Sequence, residues 1–308
     1  MSPPAGLRRD GEAWKRVEHE VALIIADARL RIDRSDEGLS STDVHAVRVA
    51  CKRLRALWRM LEPALGASTT RPAERALRDA AKELAGQRQA AVLVQTLLRL
   101  GRKATKRKDR RLAAELAERL TLALGGPAAA ATPGPLMRTV FEEQSWALAA
   151  LPRSPSAEDL LLGILHGALR ARKSGRRAKR AGEAVLWHRC RRWVKYEHYQ
   201  LGLALRPKGA LRHRQRRLER LGTLLGQHQD GFDLEQQLAG SDAALRLPES
   251  AARVLDVWRC AGDTDRLLTC VRRAQQRLLK RIEGRFDILY GGRRGDLEAA
   301  LREAFARS

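Results

Sequence analysis

The stretch from Thr42 to Leu61, TDVHAVRVACKRLRALWRML, decides the fold class. Val44, Val47, Cys51, Leu54, Trp58 and Leu61 step along it by three and four residues. That spacing gathers apolar side chains on one face of an α-helix. Ser41 or Thr42 can cap the helix, and Asp43 in its first turn suits the helix dipole. Beside the apolar stripe runs a second row, His45, Arg48, Lys52, Arg55 and Arg59. At about 1.5 Å per residue the row is about 21 Å long. Like charges at i,i+4 destabilise a helix by a few tenths of a kcal/mol per pair, so this row costs stability unless an anion lies along it.

The same arrangement recurs later in the chain. Trp187, Cys190, Val194 and Leu201 form an apolar stripe, and His188, Arg191, Lys195 and His198 form the shifted basic row. His45-x-x-Arg48-x-x-x-Lys52 and His188-x-x-Arg191-x-x-x-Lys195 share spacing and register. Cys51 and Cys190 sit on the stripes and are expected to pack as small hydrophobes. Each row is followed by an echo, Leu84-Ala85-Gly86-Gln87-Arg88-Gln89 after the first and Leu225-Gly226-Gln227-His228-Gln229-Asp230 after the second. The duplication predicts two similar helical bundles related by a pseudo-two-fold axis, residues 1–152 and 153–308.

Working outward, apolar residues at helical spacing fill the remainder and strand signals are almost absent, so the fold is read as all-α. Helices are expected over about 11–34, 42–62, 71–100, 107–124, 136–150, 157–180, 183–205, 209–240 and 264–290. Gly125 to Pro135, GGPAAAATPGP, reads as a connector, and Pro152 to Pro155 as a second break. The basic run Arg102 to Arg111 reads as a solvated turn between helices.

Hydrophobic residues make up 44% of the 308, enough for a substantial core, while 60 Lys and Arg against 36 Asp and Glu leave a formal charge of +24. So lopsided a charge favours a polyanionic partner (DNA, RNA, anionic lipid or inorganic polyphosphate) over a solvated basic surface with no partner. Aromatic residues are 4%, which argues mildly against a single-strand reader that stacks bases on rings. No stretch approaches the roughly 20 apolar residues of a membrane span. Met1 to Trp14 carries Pro3 and Pro4 and no apolar core, so no secretory signal is expected. The four cysteines, Cys51, Cys190, Cys260 and Cys270, show no C-x-x-C spacing. A cytoplasmic protein with reduced thiols is expected.

Catalytic patterns fail one by one. There is no Gly-Lys-Ser/Thr phosphate loop and no Gly-x-Ser-x-Gly elbow. His19-Glu20 begins a zinc-protease pattern, but Leu23 ends it. His188 and His198 are nearly three turns apart, too far to share a metal ion. Neither an enzyme nor a cofactor or metal is expected.

His45-Ala-Val-Arg48-Val49-Ala-Cys-Lys52-Arg53-Leu54-Arg55 resembles the signature helix of the CHAD family, the conserved histidine α-helical domain. The second helix is similar at His188, Arg191, Lys195 and Tyr199, with His198 where the family usually has Arg. Leu225, Gly226 and Asp230 match a later segment, whereas Arg88-Gln89 has lost the acid of its first-half counterpart. The resemblance spans about 12–290. It implies two helical bundles around a basic central cleft, and binding of long-chain inorganic polyphosphate, often at polyphosphate granules and their proteins. Such domains are often fused to a triphosphate-tunnel enzyme whose Glu-x-Glu-x-Lys strand is not expected here: Glu18-His-Glu20 is followed by Ala22, on a predicted helix.

On this reading His45, Arg48, Lys52, Arg53, Arg55 and Arg59 line the ligand surface together with His188, Arg191, Lys195 and His198. Arg53 lies one position off its row but within the family motif. Arg99, Arg102 and Lys103 are expected to add charge from the first half, and Arg273, Arg277, Lys280 and Arg281 from the last long helix. His45 and His188 either orient a phosphate or tie helices together through a backbone carbonyl. The almost purely cationic rows suit a polymer without bases, so polyphosphate is favoured over nucleic acid, with a basic scaffold for acidic proteins as a third reading.

Overall fold

A computed structural model describes residues 5–34, 38–84, 86–124, 132–204, 209–241 and 247–306. Among them are twelve helices and no strands: α1 (Ala5–Asp33), α2 (Ser41–Leu65), α3 (Ala67–Glu83), α4 (Gly86–Lys103), α5 (Arg107–Ala123) and α6 (Pro135–Ala149), then α7 (Ala157–Ala181), α8 (Ala184–Ala204), α9 (Gly209–Leu238), α10 (Glu249–Cys260), α11 (Asp263–Tyr290) and α12 (Arg294–Ala306). The all-α reading holds. The single helix expected over 71–100 is instead two, α3 and α4. α10 and α12 were not expected; Ala251, Leu255 and Trp258 do form a buried stripe on α10, but over only 12 residues. Most of the connector, residues 125–131, lies outside the described residues, as do residue 85 and the side chains of Gln87, Arg88 and Gln89.

Local signals account for the helix ends. The cap of α2 is Ser40, one residue before the expected pair, and its Oγ accepts from the Asp43 N–H at 3.1 Å. Asp43 also takes Arg31 Nη1 at 2.7 Å, which holds its carboxyl below the usual range after the Ser40 hydroxyl has done the same. Gly66, at φ 83°, ends α2 with its N–H donating to Glu62 O at 3.0 Å, a backbone turn that glycine adopts without strain. Past the Pro152–Pro155 break, Ser156 and Asp159 form a reciprocal capping box at the start of α7.

The chain gathers into two compact units, each drawing on both sides of residue 152. Residues 1–83, 132–222 and 285–308 form the first, which holds α1, α2, α3, α6, α7, α8 and α12. In it the expected stripes are buried in full, Val44 through Leu61 on α2 and Trp187, Cys190, Val194 and Leu201 on α8. Burial pushes the Cys51 and Cys190 thiols up to about 12, so both are inert packing groups. A run of small residues on α7 permits the closest approaches. A Cβ on Gly163 would meet the Met60 carbonyl at 1.9 Å, and one on Gly175 the Phe286 ring at 2.0 Å. Beside them Gln200 Nε2 donates to Ala56 O at 3.1 Å, joining α8 to α2, and Trp58 Nε1 donates to Gln144 Oε1 at 2.6 Å, joining α2 to α6.

Residues 84–131 and 223–284 form the second unit. Leu93, Leu97, Leu116, Leu234, Leu255 and Leu267 are at its core, bringing α4, α5, α9, α10 and α11 together. Asp109, at the start of α5, is buried in it and receives Arg266 Nε at 2.5 Å and the Cys270 thiol at 3.2 Å. Burial pushes this carboxyl up, but the two hydrogen bonds outweigh it and hold it below its usual value.

Candidate anion-binding surfaces

In the first unit the two basic rows sit on packed neighbours, because the stripes beside them share one core. Their members meet different fates. His45 is exposed at the start of α2. Arg48 is half-buried and donates from Nη1 to Ala81 O at 2.8 Å, in the last turn of α3, where carbonyls are left over at a helix end. Lys52 is half-buried one turn further on.

Arg55 and Arg59 are occupied. The buried carboxylate of Glu74, on α3, receives Arg55 at 2.7 Å and Arg59 at 3.0 Å. Glu62 takes Arg59 at 2.7 Å and Arg71 at 3.1 Å. Burial would lower the Arg59 pKa, but the charges of Glu74 and Glu62 raise it on balance. Three guanidiniums and two carboxylates leave this ladder only one net positive charge.

Arg191, Lys195 and His198 are half-buried along α8, with far less compensation. Arg191 Nε is buried without a hydrogen-bond partner. Burial, then the charge of Arg191, holds the Lys195 amine below its ordinary value, against the pull of Glu219. The amine also lies 5.8 Å from the centre of the Tyr199 ring, a cation–π contact. His198 Nδ1 is 3.4 Å from Gln215 O, and its pKa is lowered by burial first and by Lys195 second. The Arg53 charge reaches both His198 and Tyr199, so this α2 residue faces the α8 row, while its contact with Glu20 Oε2 is a loose 3.7 Å. His188 is half-buried at the head of the row.

In the second unit α4, α9 and α11 enclose a cleft of about 340 Å³. Arg99 and Lys103 from α4 and Arg277 and Arg281 from α11 line it. Arg99 donates to Thr96 Oγ1 at 3.0 Å and pairs with Asp230 Oδ2 at 3.3 Å. The helices can close on the cleft because Gly231 has no side chain: a Cβ there would meet Gln275 Cδ at 2.9 Å. Gln275 is fixed by donating to His228 O at 2.9 Å. Arg102, Arg273 and Lys280 are exposed and do not line the cleft.

The model of the family described as CHAD domain matches residues 23–239. The chain belongs to the CHAD domain family. Among solved structures it is similar to PptA from Streptomyces chartreusis, at 16% identity and a TM-score of 0.52, covering 88% of this chain and 99% of that one. That likeness is one of fold. No curated protein matches.

The CHAD match takes in both histidine helices, and Arg99, Lys103 and Asp230 of the cleft, but not Arg277 or Arg281 of α11. What sequence reasoning missed are the acids. Glu74 follows Arg71 at i+3 on a strongly amphipathic helix, yet nothing in that spacing says that it turns inward to α2. Among the described residues, no cluster of three or more His, Cys, Asp or Glu could hold a metal ion, and no helix is long and apolar enough to cross a membrane.

Proposed function

We propose that this CHAD chain binds long-chain inorganic polyphosphate without catalysis, along a surface built from Arg53, Lys52 and Arg48 on α2 and Arg191, Lys195 and His198 on α8. The observation that carries the reading is the state of Arg191 and Lys195. Both are half-buried, one lacks a partner for Nε, and the other is held below its ordinary pKa by burial and by its neighbour. Cations left in that state are stabilised by an incoming anion. Phosphate oxygens match them chemically, since Arg offers a planar fork and Lys a point charge. The family's association with polyphosphate supports the choice of polymer.

Arg55 and Arg59 act in this scheme through the residual charge of their ladder, and the cleft cations Arg99, Lys103, Arg277 and Arg281 offer an anion-binding surface within the second unit. The repeated rows are taken as an internal duplication with α2 and α8 equivalent, and the ligand is either soluble polymer or a granule surface in the cytoplasm. Nucleic acid is the rival. Titrating the full chain with polyphosphate and with duplex DNA of matched charge, at two salt concentrations, decides between them. Tighter binding of polyphosphate at both salts is expected; equal or tighter binding of DNA would overturn the proposal.

A further inference from the structure

We infer that the cleft of the second unit is a binding site for a nucleoside polyphosphate, with the phosphates on its basic rim and the nucleoside on its floor. The floor is what an inorganic polymer leaves unexplained. Leu100, Leu234, Val271, Ala274 and Leu278 line the same cleft as the four cations. A chain of bare phosphates gains nothing by covering apolar surface, whereas a ligand with a hydrophobic face does. Apolar walls with a few placed polar groups, in a volume of about 340 Å³, are the ordinary make-up of a small-molecule site.

Two amides narrow the class. Gln227 and Gln275 both line the cleft. Gln275 spends one N–H on the His228 carbonyl at 2.9 Å, which fixes its side chain and leaves its Oε1 free to accept. A primary amide presents a donor and an acceptor side by side, the pattern that pairs with the edge of a purine. A lipid phosphate would bury the floor equally well but would leave both amides facing hydrocarbon. Arg277 and Arg281, one turn apart on α11, and Lys103 on α4 supply charge for the phosphates, while Asp230 keeps Arg99 in place at 3.3 Å. This inference goes beyond polymer binding and does not require it.

The test is calorimetric titration of the full chain in magnesium-free buffer with ATP, inorganic tripolyphosphate and adenosine, with long-chain polyphosphate measured on the same preparation. ATP is expected to bind at least tenfold more tightly than tripolyphosphate. Gln227→Ala should weaken ATP at least fivefold and leave tripolyphosphate unchanged, and Arg277→Glu with Arg281→Glu should weaken both. Equal affinity for ATP and tripolyphosphate, or no ATP binding, would overturn the inference. Retained binding of the long polymer in that case would show that this inference alone had failed; ATP binding with no polymer binding would sink the polymer proposal alone.

Discussion

Replacing Glu74 by Gln tests how the first basic row is held. The Glu74 carboxylate is buried and joins Arg55 at 2.7 Å to Arg59 at 3.0 Å. Removing one partner of a buried ion pair costs about 3–5 kcal/mol, because the other charge is left uncompensated. Here the Arg55 and Arg59 side chains keep 19% and 25% of their exposure, and Arg59 keeps Glu62, so water and the second acid screen part of the loss. A destabilisation of about 2–3 kcal/mol is therefore expected. At about 2–4 °C per kcal/mol for domains of about 150–250 residues, the melting temperature should fall by about 5–10 °C. The same change frees Arg55 toward an added polyanion and loosens Arg59, which keeps Glu62. The slope of log affinity against log salt should steepen by up to about 1.4, two contacts at about 0.7 each by analogy with single strands. Saturating polyphosphate should then restore much of the lost melting temperature. Thermal denaturation with and without polymer, and affinities at three salt concentrations, provide the readouts. A melting temperature within 1 °C of wild type (on the order of 0.3 kcal/mol) would show that the ladder holds nothing together. An unchanged salt slope would show that Arg55 and Arg59 stay away from the ligand.

Other substitutions probe the packing and the titrating groups. Gly163→Ala puts a Cβ against the Met60 carbonyl and should cost about 3 kcal/mol or more in denaturant unfolding, whereas Gly284→Ala, in open space within α11, should stabilise by about 0.5–1 kcal/mol. Burial lowers the pKa values of His166, His198 and His228, so the unfolded chain binds more protons than the folded one just below the ordinary histidine value. Stability should fall as pH drops below about 6.5 and be flat above it; a rise on acidification would contradict the burial of these rings. His198→Arg restores the family's usual cation, and should tighten polyphosphate binding at pH 7.5 and flatten its pH dependence between pH 5 and 7.5. A thiol reagent should modify exposed Cys260 quickly and Cys51 and Cys190 only on unfolding; rapid labelling of either buried thiol would refute the packing described.

How much of this could be read beforehand follows from what a helix periodicity encodes. Three-and-four spacing identified α2 and α8, and every residue of their two stripes is buried, because a single helix fixes which side chains share a face. The α3–α4 break was not legible, since Leu77, Ala80, Leu84 and Ala91 keep helical spacing across it and residues 84–86 offer only one glycine as a stop. The α7 contacts were invisible for a different reason. Gly163, Gly167, Ala171 and Gly175 are legible as a stripe of small residues, but the pattern does not say which helix presses against it. The basic rows were found, yet the acids opposing them were not. Glu74 and Glu219 come from other helices, and only packing brings them to Arg55, Arg59 and Lys195. Burial and Lys195 lower the His198 pKa, so its ring gains charge for an anion only at lower pH than an unperturbed imidazole would.

The proposed ligand surface stands or falls most directly on a comparison of two charge reversals that change net charge equally. Lys52→Glu with Lys195→Glu strikes both rows, while Arg138→Glu with Arg180→Glu removes the same charge from exposed positions on α6 and at the end of α7. Polyphosphate affinity is measured for both, with circular dichroism confirming helical content. The first pair should lose more than about tenfold, or about 1.4 kcal/mol, and the second about threefold or less. Equal losses from the two pairs would mean that binding follows net charge alone and that the rows on α2 and α8 form no site.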